Sequence, residues 1–274
     1  MSTIGKYNGV SAYSLRPNAI DTREMNGVYT PNQIVQTNLN YSYDFANPNS
    51  YAGSGDTVNS LSNASTGTLF GGPQFNSATG AFQCDAINDY ISLQPWNRPV
   101  NWGGGVWFLL NDWDTIPPAG GNRFYFILDV RQTVSGNNGL RLSLRIDDTG
   151  ERTIRFRWVH SGPNETINLL ESVIGSDYFI SNTWYYLCWD RTGGTNITTW
   201  MSNPNTGALD EIANYTPKNG NDAVTMTPPL TYGCGDQISG FIDGDIAELH
   251  EYSSNLGYSG FRKNFENTSK RYGY

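Results

Sequence analysis

Period-two alternation dominates the middle of the chain. Phe124, Phe126, Leu128 and Val130 share one parity, as do Leu140, Leu142, Leu144 and Ile146. Ile154, Phe156 and Trp158 continue the pattern across an Asp148-Thr-Gly-Glu151 turn, which predicts a hairpin with those residues facing a core. The segment Gly105-Val-Trp-Phe-Leu-Leu110 is nearly all apolar, as expected of a strand covered on both faces. A second buried strand is read from Asn182 into the glycine turn at Gly193-Gly194, followed by another over Asn196–Asn203. The last strand pattern is Ser239–Tyr252. There Ile246, Glu248, His250 and Tyr252 take one parity and Asp245, Ala247, Leu249 and Glu251 the other, so at least one face is mixed. The period then changes: Phe261, Phe265 and Tyr272 stand at helical spacing, with Ser259 as the expected N-cap and Lys270 and Arg271 at the C-terminal end.

Three stretches, in this order, carry a resemblance. The first runs from Asp44-x-x-Asn47-Pro48-x-Ser50-Tyr51 through Gly67-Thr-Leu69 to Phe82-x-x-Asp85-Ala-x-Asn88-Asp-Tyr-Ile91. The second is Trp184-Tyr185, an Arg191-x-Gly turn and the strand after it. The third is the Gly244-x-Ile246-x-Glu248 strand followed by a helix ending in Lys270-Arg-Tyr-Gly-Tyr274. Together they resemble the laminin-G-like (concanavalin A-like) domains of tailed-phage and environmental viral structural proteins. Ala86 stands where that pattern has glycine, which puts the local turn in question. The resemblance implies an all-β, two-sheet antiparallel jelly-roll sandwich (concanavalin A-like) over residues 41–274, closed by a short C-terminal helix. No repeat, linker or charge block divides that stretch.

Residues 1–40 read differently. Tyr7, Tyr13, Leu15, Ile20, Val28, Tyr29, Ile34 and Val35 are scattered without a sustained period, and Thr30-Pro31 could open a short helix. Such a segment cannot build its own core but is too apolar for a plain disordered tail. It is read as an N-terminal docking arm, with Tyr7, Tyr13 and Tyr29 among its contacts.

Composition supports the β assignment: 8 Trp, 17 Tyr and 12 Phe among 30 Gly and 13 Pro suit short strands and tight turns. A formal net charge of -8 argues against phosphate-backbone binding, and no apolar run is long enough to cross a membrane. The N-terminus lacks the apolar stretch of a signal peptide. Of three cysteines, Cys84 and Cys188 fall inside strand patterns and are expected as buried free thiols; Cys234 has no evident partner.

Five candidate chemistries follow. Trp96, Trp102 and Trp113 with Asp112 and Asp114 have the composition of a carbohydrate platform. Arg141, Arg145, Arg155 and Arg157, opposite the apolar face of the hairpin, form a candidate partner interface in an acidic protein. Asp112, Asp114, Asp147, Asp148, Asp190 and Asp236 could supply a discontinuous calcium site; calcium is the one cofactor considered. His160 and His250 are too few for zinc and are expected to be hydrogen-bonded strand histidines. The Asp243-Gly-Asp-Ile-Ala-Glu248 strand resembles the Glu-x-Asp-x-x-Glu strand of laminarinase-type glycosidases, but its first position is the shorter Asp243. No catalytic residue is therefore assigned.

The resemblance implies a non-enzymatic virion structural protein made in the host cytoplasm. A capsid decoration protein on the particle exterior is the first reading. Its expected partners are the major capsid protein or other virion proteins, with a homo-oligomer in the particle and no nucleic acid or membrane. A tail or fibre adhesin binding host-surface glycans is the alternative, and a glycoside hydrolase the third.

Overall fold

The computed structural model describes residues 34–96, 98–116, 118–131, 139–159, 165–193, 196–216, 230–233 and 240–274. Tyr7, Tyr13, Tyr29, the Thr30-Pro31 helix, His160, Cys234 and Asp236 lie outside them. Two antiparallel eight-stranded sheets face each other among the described residues. Sheet A runs β14 (Ala208–Tyr215), β13 (Asn196–Asn203), β12 (Thr183–Thr192), β7 (Trp102–Leu110), β16 (Asp243–Tyr252), β5 (Ala81–Asp85), β4 (Gln74–Asn76). Its eighth strand, β1 (Leu39–Asp44), pairs with the C-terminal half of β16, beyond the end of β5. Sheet B runs β11 (Glu165–Leu170), β10 (Arg152–Val159), β9 (Gly139–Asp147), β8 (Asn122–Arg131), β15 (Leu230–Tyr232), β6 (Tyr90–Leu93), β3 (Thr66–Phe70), β2 (Thr57–Asn59). Among the described residues the α-helices are α1 (Glu171–Ile174) and α2 (Gly257–Thr268), the latter extended by a 3-10 turn at Ser269–Tyr272. No helix among the described residues is long and apolar enough to cross a membrane.

Two hydrophobic layers result. Val106, Phe108, Leu187 and Ile246 of sheet A meet Leu142, Leu144, Ile154 and Phe156 of sheet B between the sheets. On the other side of sheet A, Trp107, Trp184, Tyr186, Trp200 and Tyr252 pack against Phe261, Phe265 and Tyr272. Every residue of β7 is accordingly buried, as its continuous apolar pattern predicts. The Trp-Gly-Gly-Gly start of that strand has a steric cause. A Cβ on Gly103 would stand 2.2 Å from Asp190 Oδ1, and one on Gly104 would stand 2.4 Å from the Trp189 ring.

Bulges decide which side chains go where. In β16 the register shifts between Ile246 and Glu248. Ile246 and Leu249 therefore both reach the inter-sheet core, while Ala247 and Tyr252 reach the helix layer. That is why neither sequence parity is apolar. In β8 a shift between Phe126 and Leu128 does the same. Tyr125, Ile127 and Leu128 enter the inter-sheet core, and Phe124 and Phe126 turn to the outer face of sheet B. The expectation that Phe124 and Phe126 face the core is thus corrected.

The helix start is also corrected. Ser259 lies within the first turn of α2, not at its cap, and the amides of Leu256 and Gly257 donate to the Asp190 carboxylate from β12. Residues 34–38 are already part of the domain: Ile34 is buried, Val35 packs on the helix layer, and Val35 N donates to Asn264 Oδ1 at 2.7 Å. Cys84 and Cys188 are buried free thiols. Ala86 has φ 65°, the left-handed conformation for which glycine is better suited.

Candidate functional site

The charged residues divide into those sealed inside and those on the outer face of sheet B. Beneath α2, Arg271 grips Asp44 with two 2.8 Å hydrogen bonds and stands 3.5 Å from Glu248. All three are almost fully buried, and Tyr272 covers them. Glu248, the second carboxylate of the glycosidase-like strand, is thus committed to a structural ion pair. Asp243 accepts from Asn111 Nδ2 at 2.9 Å. His250 is fully buried, its Nδ1 4.0 Å from Glu248, and neither ring nitrogen has a hydrogen-bond partner among the described residues. The expectation of a hydrogen-bonded strand histidine does not hold for it; burial pushes its pKa down to about 3 and keeps the ring neutral.

A second sealed pair disposes of much of the tryptophan platform. Arg98 is buried between the sheets, 3.0 Å from Glu251, its guanidinium 5.2 Å from the Trp96 ring and 5.7 Å from Trp102. Trp96 is half-buried and donates its indole N–H to Glu251. Trp102 and Trp113 are 0% and 1% exposed, the latter edge-on to Phe179, so neither offers a face to a sugar ring. Trp102 begins β7 facing the core, and Trp113 is drawn inward by Phe179.

Five of the six aspartates considered for a calcium site lie among the described residues, and each accepts hydrogen bonds or an ion pair from the protein itself. Asp112 accepts the amides of Asp114 and Thr115 and lies 3.5 Å from Arg123, and its pKa is lowered by the Thr115 hydrogen bond with help from that arginine. Asp114 takes Arg152 and Ser181, and Asp148 takes the Gly120 amide. Asp147 closes the β9–β10 turn through Thr149 and Glu151. Asp190 caps α2. Among the described residues no three His, Cys, Asp or Glu side chains come together to hold a metal ion.

The outer face of sheet B is different. Cross-strand register places Phe126 opposite Ser143 and Ser143 opposite Arg155. The small serine, 1% exposed, leaves a depression between larger neighbours. The resulting groove, about 510 Å³, is lined by Asn122, Arg123, Phe124, Phe126, Arg141, Ser143, Arg155 and Gly240. Phe124 and Phe126 lie nearly parallel (13°) with centroids 6.1 Å apart. Arg141 stacks over Phe126 at 4.3 Å and Arg155 over Phe124 at 5.7 Å. Asp129 steadies Arg141 through Nε and Nη2 at 3.2 and 3.0 Å. Arg145 turns to Asn122 at 2.7 Å and Asp147 at 3.7 Å. Gly240 closes one wall with φ 65°; a Cβ there would meet the Phe126 ring at 2.2 Å. Beyond it, Phe241 lies 6.4 Å from Tyr90, which stacks on the exposed Phe70 at 4.7 Å. Arg141, Arg145 and Arg155 thus share one region as their alternation predicts; the side chain of Arg157 lies outside the described residues. The phenylalanines were missed because the β8 bulge reverses their parity.

Similar folds are known. The receptor-binding domain of botulinum neurotoxin C/D mosaic serotype matches with a TM-score of 0.60 at 14% identity, over 85% of this chain and 52% of that one. The serotype D binding domain matches at 0.59 and 13%, over 86% and 52%. The binding domain of botulinum neurotoxin DC in complex with SialylT matches at 0.58 and 14%, over the same shares. The fold is a lectin-like β-sandwich. The chain spans about half the length of these structures, and at such identity the likeness is one of fold alone. No protein-family model and no curated protein matches the chain.

Proposed function

We propose that this sandwich is a non-catalytic glycan-binding module of a virion structural protein, displayed on the particle exterior. The observation that carries the reading is the asymmetry of the two outer faces. Sheet A is covered by α2, with Arg271, Asp44 and Glu248 clustered beneath it, whereas sheet B carries an open groove combining aromatic rings with guanidinium groups. Aromatic faces beside polar groups in a concave site are the general means of holding a sugar. The likeness to neurotoxin binding domains, one of them in complex with SialylT, supports the module reading at the level of fold. The virion setting rests on the sequence resemblance over residues 41–274.

Two placements fit. A tail or fibre adhesin is favoured by the groove. Capsid decoration is favoured by the arginine-bearing face of sheet B, where partly exposed Arg123, Arg145 and Arg155 could meet a neighbouring subunit. Screening the full chain against arrayed glycans tests the module reading: selective retention is expected, and retention of none overturns it. Imaging labelled chain on particles separates head from tail. Hydrolysis is tested with laminarin. No reducing sugar is expected, and release that vanishes in Glu248→Gln would overturn the non-catalytic reading.

A further inference from the structure

We infer that the outer face of β2, β3 and β6 takes an uncharged saccharide, one sugar ring stacked on Phe70 and its hydroxyl groups on Thr68 and Ser92. The inference rests on the glycan-binding reading and names its ligand class and a site of its own. That site is on sheet B, with β15 between it and β8 of the arginine groove. Strand alternation sends Val58, Leu69, Ile91 and Leu93 into the inter-sheet core, so Thr57, Asn59, Thr68, Phe70, Tyr90 and Ser92 face outward. Cross-strand register sets Phe70 opposite Tyr90 and, one row along, Thr68 between Thr57 and Ser92.

Three observations carry it. Phe70 is 42% exposed, the only large hydrophobic residue left exposed on β2, β3 and β6, and its ring lies nearly parallel (9°) to Tyr90 at 4.7 Å. Tyr90 thus supports the ring while much of it stays in water, the form an aromatic platform for a sugar takes. Next, the hydroxyls of Thr68 and Ser92 make no hydrogen bond to the described residues. Alternate positions along a strand stand about 6.8 Å apart, so a pyranose stacked on Phe70 brings its edge towards them. Finally, β2, β3 and β6 contain no charged residue, although the chain has a net charge of -8. The platform is also held in place. Gly71, with φ 85°, packs against the turn before β6, where a Cβ would stand 2.3 Å from the Asn88 carbonyl oxygen.

Other occupants fit less well. An acidic glycan finds no cation on these strands. A stable protein partner needs about 800 Å² with an apolar centre, which one exposed phenylalanine among hydroxyls does not supply.

Calorimetric titration of the full chain with cellohexaose, maltohexaose, xylohexaose and laminarihexaose tests this. At least one should bind, with an affinity that does not change as salt is raised. Phe70→Ala should lose about 10-fold of that affinity and Thr68→Val about fivefold, whereas Phe70→Trp should retain it and Arg155→Gln should have no effect. An unchanged melting profile of each variant shows that the loss is local. If a probe binds equally well to Phe70→Ala and Thr68→Val, the site assignment is overturned while glycan binding stands. Affinity that falls with salt or with Arg155→Gln overturns it in favour of the arginine groove. If none of the four probes binds, the inference fails, and the glycan array decides whether the broader reading fails with it. Self-association that Phe70→Ala abolishes would assign the face to a second copy and overturn the inference.

Discussion

The outer faces of the two sheets both bear arginines, but the arginines are used in opposite ways. On sheet A, Arg271 is 3% exposed and locked between Asp44 and Glu248 beneath α2. On sheet B, Arg141 and Arg155 line a groove, held over phenylalanine rings. The difference lies in what covers each sheet. Phe261 and Phe265, each contributing about 1.5–3 kcal/mol when buried, bring the helix down on sheet A. Once sealed, a charge there needs a partner, because an isolated buried ion is too costly to keep. On sheet B, Arg141 is also held by a carboxylate, Asp129, but Arg123 and Arg155 beside it stay partly exposed. A charged residue's role therefore follows from the layer above it more than from its type.

The sharpest test of this contrast is Arg271→Ala. It leaves Asp44 and Glu248 buried without their cation and should cost about 3–5 kcal/mol in denaturant unfolding. A loss below about 1 kcal/mol would mean that the cluster is wetter than its burial implies.

His250 gives the next largest effect. Its folded pKa of about 3 lies below the ordinary value of 6.5, so the unfolded chain binds the extra proton in between. The stability it contributes is complete above pH 6.5 and is lost as pH falls toward 3, by an amount on the order of a few kcal/mol. Melting curves of His250→Gln and the parent chain across that window should differ in slope, the variant being flatter.

Asp245 works in the other direction. Burial on sheet A raises its pKa from 3.8 to about 6. Its contribution is therefore fullest below pH 3.8 and is lost as pH rises through 6. Asp245→Asn should raise stability at pH 8 by about 1–3 kcal/mol and have little effect near pH 3.5. Stabilisation that did not depend on pH would point to packing rather than charge.

The smallest effect belongs to the groove. Arg155→Gln should change unfolding free energy by no more than about 0.5 kcal/mol, because the side chain is half-exposed. A loss comparable to that of Arg271→Ala would make the two faces alike and end the comparison.

Much of this was legible in the chain itself. The β9–β10 hairpin, the doubly covered β7, the C-terminal helix and the shared placement of Arg141, Arg145 and Arg155 all follow from local periodicity, because side-chain direction alternates with the pleat. Ala86 was identified as an odd residue in its turn, and it does adopt a left-handed conformation. Tertiary structure decided the rest. A single extra residue in β8 sends Phe124 and Phe126 outward, and another in β16 divides Ile246 and Leu249 from Ala247 and Tyr252. A bulge depends on the partner strand's register, which no local pattern contains. Asp190 caps a helix more than 60 residues away in the chain, and Trp102 and Trp113 find core neighbours from distant strands. The sequence by itself determined which segments are strands and which residues share a face within an unbroken stretch. Which face became core, which charge was sealed and which stayed open were decided only when the second sheet and the helix were in place, since burial is a property of the layer opposite.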